Sequence, residues 1–278
     1  MPTSQPNILV IMPDQHRADA MGCAGNSVVQ TPNLDRLAAE GVRFGRAYCQ
    51  GPLCMPARAS FLTERYVRDH GVLQNDWDVP TDMPTFLHSL QGAGYHTGCI
   101  GKMHLYVHGP GATGVRTRDT RDRADTLRTL GFEEPIEGVG KHAAVNIQSE
   151  YSDYLKEQGL YQTYREWMAY RRYGVGQVEI NGRMVDRLPM WHVESTPLPA
   201  EAHIDNWIGR RVVRWLEEYK SDRPFFQWVG FPGPHDPWDA PKEYVDRYRG
   251  ADIPLGPMVP PVVPESGPLK TFIEAFQR

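Results

Sequence analysis

The first apolar run of the chain predicts a buried β-strand. Five consecutive apolar residues, Ile8 to Met12, lie inside a segment at 7–13 that ends at Pro13 and Asp14. Continuous runs of this length are typical of parallel strands, which helices cover on both faces. Ligands gather at the carboxyl ends of such strands, so Asp14 stands where an α/β protein places its chemistry.

Later apolar positions recur with spacings that alternate between helix and strand. The helical spacings predict helices from Leu34 to Glu40, from about Pro56 to Glu64, from Thr85 to Gln91, from Ala202 to Tyr219 and from Leu269 to Phe276. Strand patterns lie at 42–48, at Tyr95 to Ile100 and at Pro224 to Gly230. This alternation predicts an α/β fold with a mainly parallel sheet sandwiched by helices.

The middle of the chain, at about 109–200, has a different pattern. It is polar and rich in Arg and Tyr, and it lacks the alternation typical of strands. A charge-dense run at 116–128 indicates a solvated helix or loop, and the spacing of Tyr, Leu and Trp at 151–173 is helical. We interpret 109–200 as an insertion that shapes the entrance for a substrate.

Composition narrows the functional classes. The chain has 278 residues, enough for one large domain or two small ones, and its net charge is −4 at pH 7. This mildly acidic balance provides no attraction to nucleic acid or to an anionic membrane surface.

No apolar run approaches the roughly 18 residues of a membrane span, and no leader pattern is seen, so we expect a cytoplasmic protein. The four cysteines are too few and too scattered for a disulfide scaffold: Cys23, Cys49, Cys54 and Cys99.

The stretch Cys54-Met55-Pro56-Ala57-Arg58 carries the most informative chemistry. Pro56 can open a helix at its first position, and a helix N-terminus attracts anions and lowers the pKa of a nearby thiol. Arg58, one turn along, could bind the same anion with its forked guanidinium. A buried cysteine beside the start of a helix explains the same residues equally well.

Five motifs, in the same order along the chain, resemble the sulfatase family. The stretch at 54–58 with the following Leu62-Thr63 resembles the family signature Cys-x-Pro-Ser/Ala-Arg and its trailing Leu-Thr-Gly. The other four are the strand that ends in Asp14, the helix motif Thr31-Pro32-Asn33-Leu34-Asp35-Arg36-Leu37, Gly101-Lys102-Met103-His104, and Pro234-His235-Asp236-Pro237. The motifs extend over most of the chain, and Asp14-Gln15 looks closest to choline-sulfatase-like and arylsulfatase members.

The resemblance implies a fold and an activity. The fold would be alkaline-phosphatase-like, with 1–278 as the N-terminal catalytic domain and the C-terminal part of the family fold missing. The enzyme would hydrolyse a small-molecule or carbohydrate sulfate ester to an alcohol and inorganic sulfate, with neither nucleic acid nor membrane as a partner. A separate maturation enzyme would oxidise Cys54 to formylglycine, whose hydrate supplies the attacking oxygen. Asp14, Gln15 and the modified Cys54 would ligate a divalent cation, usually Ca²⁺.

The resemblance also implies a role for four further residues. Arg58 would hold the formylglycine hydrate, and Lys102 would bind a sulfate oxygen as a point charge. His104 would be the base that regenerates the aldehyde, whereas His235 would contact the sulfate and assist the leaving oxygen. The residues by themselves leave non-catalytic roles open: Lys102 and His104 could face solvent, and His235 between two prolines could be only a rigid loop residue.

The chain departs from the family pattern at three places. Gln15 replaces the second Asp of the common Asp-Asp pair, and Glu64 replaces the Gly that usually follows Leu-Thr. Nothing after Pro241 supplies the later Asp-Asn or Asp-His metal ligands. Two alternatives therefore stay open: a phosphonate or phosphate monoester hydrolase on the same site, since these are also tetrahedral oxyanions, and a non-catalytic remnant that binds anions or partners.

Overall fold

The computed structural model describes residues 5–109, 116–171 and 176–253 of the chain. Strands in these ranges are β1 (Ile8–Asp14), β2 (His96–Gly101), β3 (Glu134–Glu137), β4 (Gln177–Ile180), β5 (Arg183–Asp186) and β6 (Phe225–Pro234). The α-helices are α1 (Pro32–Glu40), α2 (Cys54–Thr63), α3 (Val67–His70), α4 (Phe86–Gly92), α5 (Ala124–Thr129), α6 (Glu150–Glu157), α7 (Tyr161–Tyr170), α8 (Ile204–Glu218) and α9 (Lys242–Tyr248). Short 3₁₀ turns lie at Gly22–Ala24, Thr120–Arg123, Ala143–Val145 and Ala200–Ala202. The helix predicted from Leu269 to Phe276 lies outside the described residues.

The central sheet is parallel and has the strand order β1-β6-β2-β3. β6 pairs with β1 from Phe226 opposite Ile8, and with β2 from Phe225 opposite His96. Every described pairing in this sheet is parallel, so its strands all end at the same edge. The predicted mainly parallel sheet is therefore confirmed. β4 and β5 form a separate antiparallel hairpin.

Helices cover both faces of the sheet because apolar side chains alternate from face to face along β6. Phe226 and Trp228 pack into one core with residues of α2, α4 and α5, among them Met55, Leu62, Leu87 and Leu127. Phe225 and Val229 pack into a second core with residues of α6, α7 and α8, among them Tyr151, Tyr164, Ile208 and Trp215. The predicted sandwich of helices around the sheet is confirmed.

β1 has one exposed face, which differs from the buried strand that the sequence predicted. Val10 and Met12 pack against the first core, whereas Leu9 is 42% exposed and Ile11 is 58% exposed. Among the described residues, β1 is an outer strand with β6 as its neighbour. Alternate residues of a strand point to opposite faces, and the described residues cover only one face of β1.

One further sequence prediction was wrong. The segment at 42–48 forms no strand, and its apolar side chains Val42, Phe44 and Tyr48 are at least 80% exposed. The segment at 109–200 contains β3, which pairs with β2 and so belongs to the central sheet. The helical spacing at 151–173 is confirmed by α6 and α7, and the charge-dense run at 116–128 forms a 3₁₀ turn and α5. A role of 109–200 at the substrate entrance stays a prediction.

Backbone contacts divide the chain into one compact unit at Met1–Arg247 and another at Tyr248–Arg278. The sheet and the residues of the candidate site all belong to the first unit. Within the described ranges, no helix has both the length and the apolar character that crossing a membrane requires.

Candidate active site

Parallel strand ends bring residues from distant parts of the chain together. Asp14 is the last residue of β1, Lys102 follows β2, and His235 follows β6. The carboxyl ends of these strands share one edge of the sheet, and α2 begins at this edge with Cys54. The four side chains meet at this edge.

Cys54 is the first residue of α2, so the helix begins two positions earlier than the sequence predicted. Pro56 takes the third helical position, where its missing N–H costs no helical hydrogen bond. Sγ of Cys54 lies 3.6 and 3.7 Å from the carboxylate oxygens of Asp14, and 3.8 Å from Nζ of Lys102. The candidate nucleophile therefore stands at a helix N-terminus, beside both the carboxylate and the ammonium group of a buried ion pair.

Asp14 is a buried carboxylate between two cations. Nζ of Lys102 donates a short hydrogen bond to Oδ2 of Asp14, and Nη2 of Arg58 lies 3.6 Å from the same oxygen. Burial opposes the charge of Asp14, but Lys102 and Arg58 outweigh it and lower the pKa below its ordinary value of 3.8. Asp14 is therefore ionised at neutral pH and cannot serve as a proton donor.

Arg58 holds the backbone that follows β2. Nη1 of Arg58 donates to the carbonyl oxygen of Lys102 at 2.6 Å, and the side chain is buried. Burial lowers the pKa of Arg58, while the negative charge of Asp14 opposes that shift. The structure thus gives Arg58 two tasks, which are to fix Lys102 and to balance the charge of Asp14.

His104 follows β2 in a left-handed backbone conformation, with φ at +52°. Its backbone N–H donates to Oε1 of Glu137 at 3.0 Å, and its ring stacks on His108 with centroids 4.8 Å apart. Burial, followed by the neighbouring His108 ring and the positive charge of Lys102, lowers the pKa of His104 well below its ordinary value of 6.5. The ring is therefore neutral at neutral pH and able to accept a proton.

His235 has the opposite protonation state. Its Nδ1 lies 2.8 Å from both the carbonyl oxygen and Oδ1 of Asp236. Burial opposes the charge of His235, but hydrogen bonds to Asp236 and to Cys54 outweigh it and raise the pKa to about 9. At neutral pH His235 is therefore a protonated donor beside residue 54.

A cavity of about 270 Å³ opens at this edge of the sheet. Lys102, His104 and His235 line it, together with residues that the sequence motifs did not indicate: Asn75, His108, Lys141 and His142. Oδ1 of Asn75 accepts a hydrogen bond from the backbone N–H of Met55 at 3.0 Å, which places the amide beside the start of α2. A single Asn in a polar loop carries no spacing signal, so sequence reasoning had no means to find it.

A buried ion pair braces the loop that carries His235. Nζ of Lys141 lies 2.7 Å from Oδ1 of Asp239 and donates to the carbonyl oxygen of Pro237 at 3.0 Å. Burial opposes the charge of Asp239, but a hydrogen bond to His203 and the charge of Lys141 outweigh it and lower the pKa. The segment at 109–200 is thereby tied to the loop after β6.

The described residues do not complete a cation site. Gln15 follows Asp14 with φ at +62° and is exposed, and Asp14 is already neutralised by Lys102. Within the described ranges, no group of three or more His, Cys, Asp or Glu side chains could hold a metal ion. Ca²⁺ takes about 6–8 oxygen ligands, so Asp14, Gln15 and residue 54 leave it short of ligands. Metal ligation by these residues stays a prediction.

A comparison with family models and a comparison with curated proteins both match this chain to sulfatases. The family model described as Sulfatase matches residues 6–256. An arylsulfatase of Clostridium perfringens is 32% identical over 258 residues, which cover 90% of this chain and 47% of that protein. A choline-sulfatase of Rhizobium meliloti is 35% identical over 184 residues, which cover 60% of this chain and 36% of that protein. The chain spans less than half the length of these curated relatives.

Solved structures share the fold. The phosphonate monoester hydrolase of Agrobacterium radiobacter matches with a TM-score of 0.66 at 24% identity, covering 90% of this chain and 45% of that one. A protein solved in complex with its substrate D-glucosamine-2-N,6-O-disulfate matches with a TM-score of 0.58 at 24% identity, covering 91% and 40%. At this identity the likeness concerns the fold alone, and it confirms the alkaline-phosphatase-like α/β architecture.

Proposed function

The chain belongs to the sulfatase family, and on that premise we propose that the protein containing it hydrolyses a sulfate monoester to an alcohol and inorganic sulfate. The observation that carries the proposal is the meeting of Cys54, Asp14, Lys102 and His235 at one edge of the sheet. The proposed substrate is a small-molecule or carbohydrate sulfate ester.

We propose that Cys54 becomes the nucleophilic residue after a maturation enzyme oxidises it to formylglycine. One hydroxyl oxygen of the hydrated aldehyde would attack sulfur and displace the alcohol. Loss of the proton from the other hydroxyl would then expel sulfate and leave the aldehyde, to which water adds again. The position of Cys54 supports this role, because the N–H groups at the start of α2 stabilise negative charge. Asp14, whose oxygens lie within 3.7 Å of Sγ, can accept a proton or a hydrogen bond from a hydroxyl group at residue 54.

The charges around residue 54 favour an anionic substrate. Lys102 and protonated His235 both face Cys54, and Arg58 adds a third positive charge, whereas the carboxylates that pair with these cations are those of Asp14 and Asp236. A sulfate group bound beside residue 54 would receive hydrogen bonds from Lys102 and His235. Preorganised donors of this kind stabilise charge that develops in the transition state.

The two histidines have opposite protonation states at neutral pH, as a general base and a general acid require. His104 is neutral and can take a proton, whereas His235 is protonated and can give one to the leaving oxygen. We therefore assign His104 as the base that lets residue 54 expel sulfate, and His235 as the acid for the alcohol.

The peptide Ala47–Arg58 provides the direct test, because trypsin releases it with both Cys49 and Cys54 inside. Protein from its native host would be digested, alkylated and sequenced by tandem mass spectrometry. We expect the mass of residue 54 to change from thiol to aldehyde, while Cys49 stays an alkylated thiol and serves as the internal control. An unmodified Cys54, from a host that modifies another sulfatase, would contradict formylglycine chemistry and favour the non-catalytic, anion-binding alternative.

A phosphonate or phosphate monoester hydrolase is the second candidate. The fold resembles that of the phosphonate monoester hydrolase of Agrobacterium radiobacter, and Lys102 and His235 suit any tetrahedral oxyanion. The ratio of kcat/KM for nitrophenyl sulfate to that for a phenyl phosphonate separates the candidates. We expect the sulfate ester to be preferred. A preference for the phosphonate would make the phosphonate monoester hydrolase the first candidate function.

A further inference from the structure

We propose that Glu137, which does not line the cavity, is a positioning residue that holds His104 in the orientation that its proposed role as a base requires. The inference deepens the function proposed above and rests on it, because the assigned task of His104 comes from there. Glu137 is the last residue of β3 and lies in the segment that the sequence presented as an insertion. It touches neither the cavity nor Cys54 in the contacts described, so its effect has to pass through His104.

The main contact is between the Glu137 carboxylate and the backbone of His104. Oε1 of Glu137 accepts the His104 N–H at 3.0 Å, and the Glu137 side chain is only 1% exposed. His104 has φ at +52°, a conformation that residues other than glycine rarely adopt. Such a conformation persists only where neighbouring groups hold it, and the buried carboxylate is the group that does so here.

A second contact of Glu137 acts on the ring of His104 through His108. Nε2 of His108 lies 3.6 Å from the same Oε1 atom, and the His108 ring stacks on the His104 ring with an angle of 13° between the planes. One carboxylate oxygen therefore faces both the backbone of His104 and the ring that packs against it. Both histidine rings line the cavity.

Tyr106 and Arg58 are further neighbours of Glu137. The Tyr106 ring packs edge-on against His108 with centroids 5.4 Å apart. Burial and the nearby Glu137 carboxylate raise the pKa of Tyr106, so the phenol stays protonated. The negative charge of Glu137 also faces the buried guanidinium of Arg58. Arg58 donates to the carbonyl oxygen of Lys102 and Glu137 accepts from the N–H of His104, so both side chains hold the same backbone segment.

Two variants of nearly equal size separate the hydrogen bond from packing. Glu137→Gln keeps an oxygen that can accept the His104 N–H, whereas Glu137→Met fills the space without an acceptor. Glu134→Gln is the matched control, because Glu134 lies on the same strand but accepts from Trp215 Nε1 and His96 Nε2, away from the cavity.

The variants would be made in the complete protein and assayed with nitrophenyl sulfate. We expect Glu137→Met to lower kcat about tenfold or more, with KM within about threefold, because Lys102 still binds the ester. Glu137→Gln should restore kcat to within about threefold of the wild type, and Glu134→Gln should leave it unchanged. Equal losses in Glu137→Met and Glu137→Gln, or a loss that follows only the folded fraction, would overturn the positioning role.

Nuclear magnetic resonance of the His104 ring provides a readout that needs no turnover. We expect its signals to shift in Glu137→Met and to stay in place in Glu134→Gln. If the wild type hydrolyses no sulfate ester, the proposed function fails, but the shift still decides whether Glu137 positions His104. Unshifted His104 signals in folded Glu137→Met would overturn the inference by themselves.

Discussion

Lys102 and Asp14 form a buried ion pair across the carboxyl edge of the sheet, although β6 lies between the strands that carry them. Their side chains are only 5% and 7% exposed. Lys102 thereby keeps Asp14 ionised and holds its own ammonium group 3.8 Å from Cys54 Sγ. The pair links the charge of the candidate site to the stability of the fold, which leads to the first prediction.

Replacement of Asp14 by Asn should destabilise the protein at neutral pH, by about 3–5 kcal/mol, because it leaves Lys102 buried without a counter-charge. The pKa of Asp14 is below 3.8 in the folded state, so the carboxylate stabilises the fold above pH 3.8. That contribution is lost as the pH falls from 3.8 through the lower folded-state pKa. Urea unfolding at a series of pH values should show the wild type and Asp14→Asn converging in acid. Asp19→Asn, at an exposed carboxylate, is the control, and parallel pH profiles of wild type and Asp14→Asn would contradict the prediction.

His235 should titrate with a pKa of about 9, which a histidine-selective NMR titration can measure. Since the folded-state pKa is raised from 6.5, the charged ring stabilises the fold fully below pH 6.5, and this contribution is lost as the pH rises through about 9. Asp236→Asn should lower the pKa, whereas Asp222→Asn in the exposed loop before β6 should not. A value near 6.5 in the wild type would remove the argument for His235 as a proton donor.

Glu64 ends α2 in a left-handed conformation, with φ at +58°, at the position where the family signature has Gly. We expect Glu64→Gly to raise the free energy of unfolding by about 0.5–1 kcal/mol, because glycine adopts this conformation without strain. Gly71 ends α3 with φ at +74° and open space around it, so Gly71→Ala is the reciprocal control and should be destabilising. Thermal unfolding of both variants tests this prediction. A destabilised Glu64→Gly would show that the Glu64 side chain stabilises the helix end.

The Lys141–Asp239 pair should be strongly coupled. Either single change, Lys141→Met or Asp239→Leu, leaves one buried charge and should cost about 3–5 kcal/mol, whereas the double variant should recover much of that loss. The exposed Arg214–Glu218 pair on α8 provides the control cycle, with coupling below about 1 kcal/mol. Additive losses at Lys141 and Asp239 in urea unfolding would show that they do not act as a pair.

The two faces of β1 should respond differently to charge. Ile11→Lys places the ammonium group in solvent and should change stability by less than about 0.5 kcal/mol, while reducing the binding of a fluorescent apolar dye to this chain. Val10 is partly buried against the first core, so Val10→Lys places a charge beside apolar side chains and should cost about 1–3 kcal/mol. Equal destabilisation by the two changes would mean that Ile11 is buried in solution.

The sequence predicted most elements of the fold because their signal is local. The strand predicted from Tyr95 to Ile100 is β2 at His96–Gly101, and the helix predicted from Ala202 to Tyr219 is α8 at Ile204–Glu218. Periodicity of apolar residues specifies such elements within a few positions. It did not reveal β3, because four residues with partial burial have too little contrast to separate them from a polar loop.

The motifs of the sequence also named Cys54, Arg58, Lys102, His104 and His235 as candidate site residues, and the structure brings them to one edge of the sheet. Only the tertiary structure decided how they meet. The pairing of a late strand, β6, between β1 and β2 joins Asp14 to Lys102, and the end of β3 places Glu137 under His104. Strand order depends on burial and hydrogen bonding between residues distant in sequence, which no local spacing records. A single Glu137 or Asn75 has no pattern of its own, and its role exists only where the fold places its oxygen beside another residue's N–H.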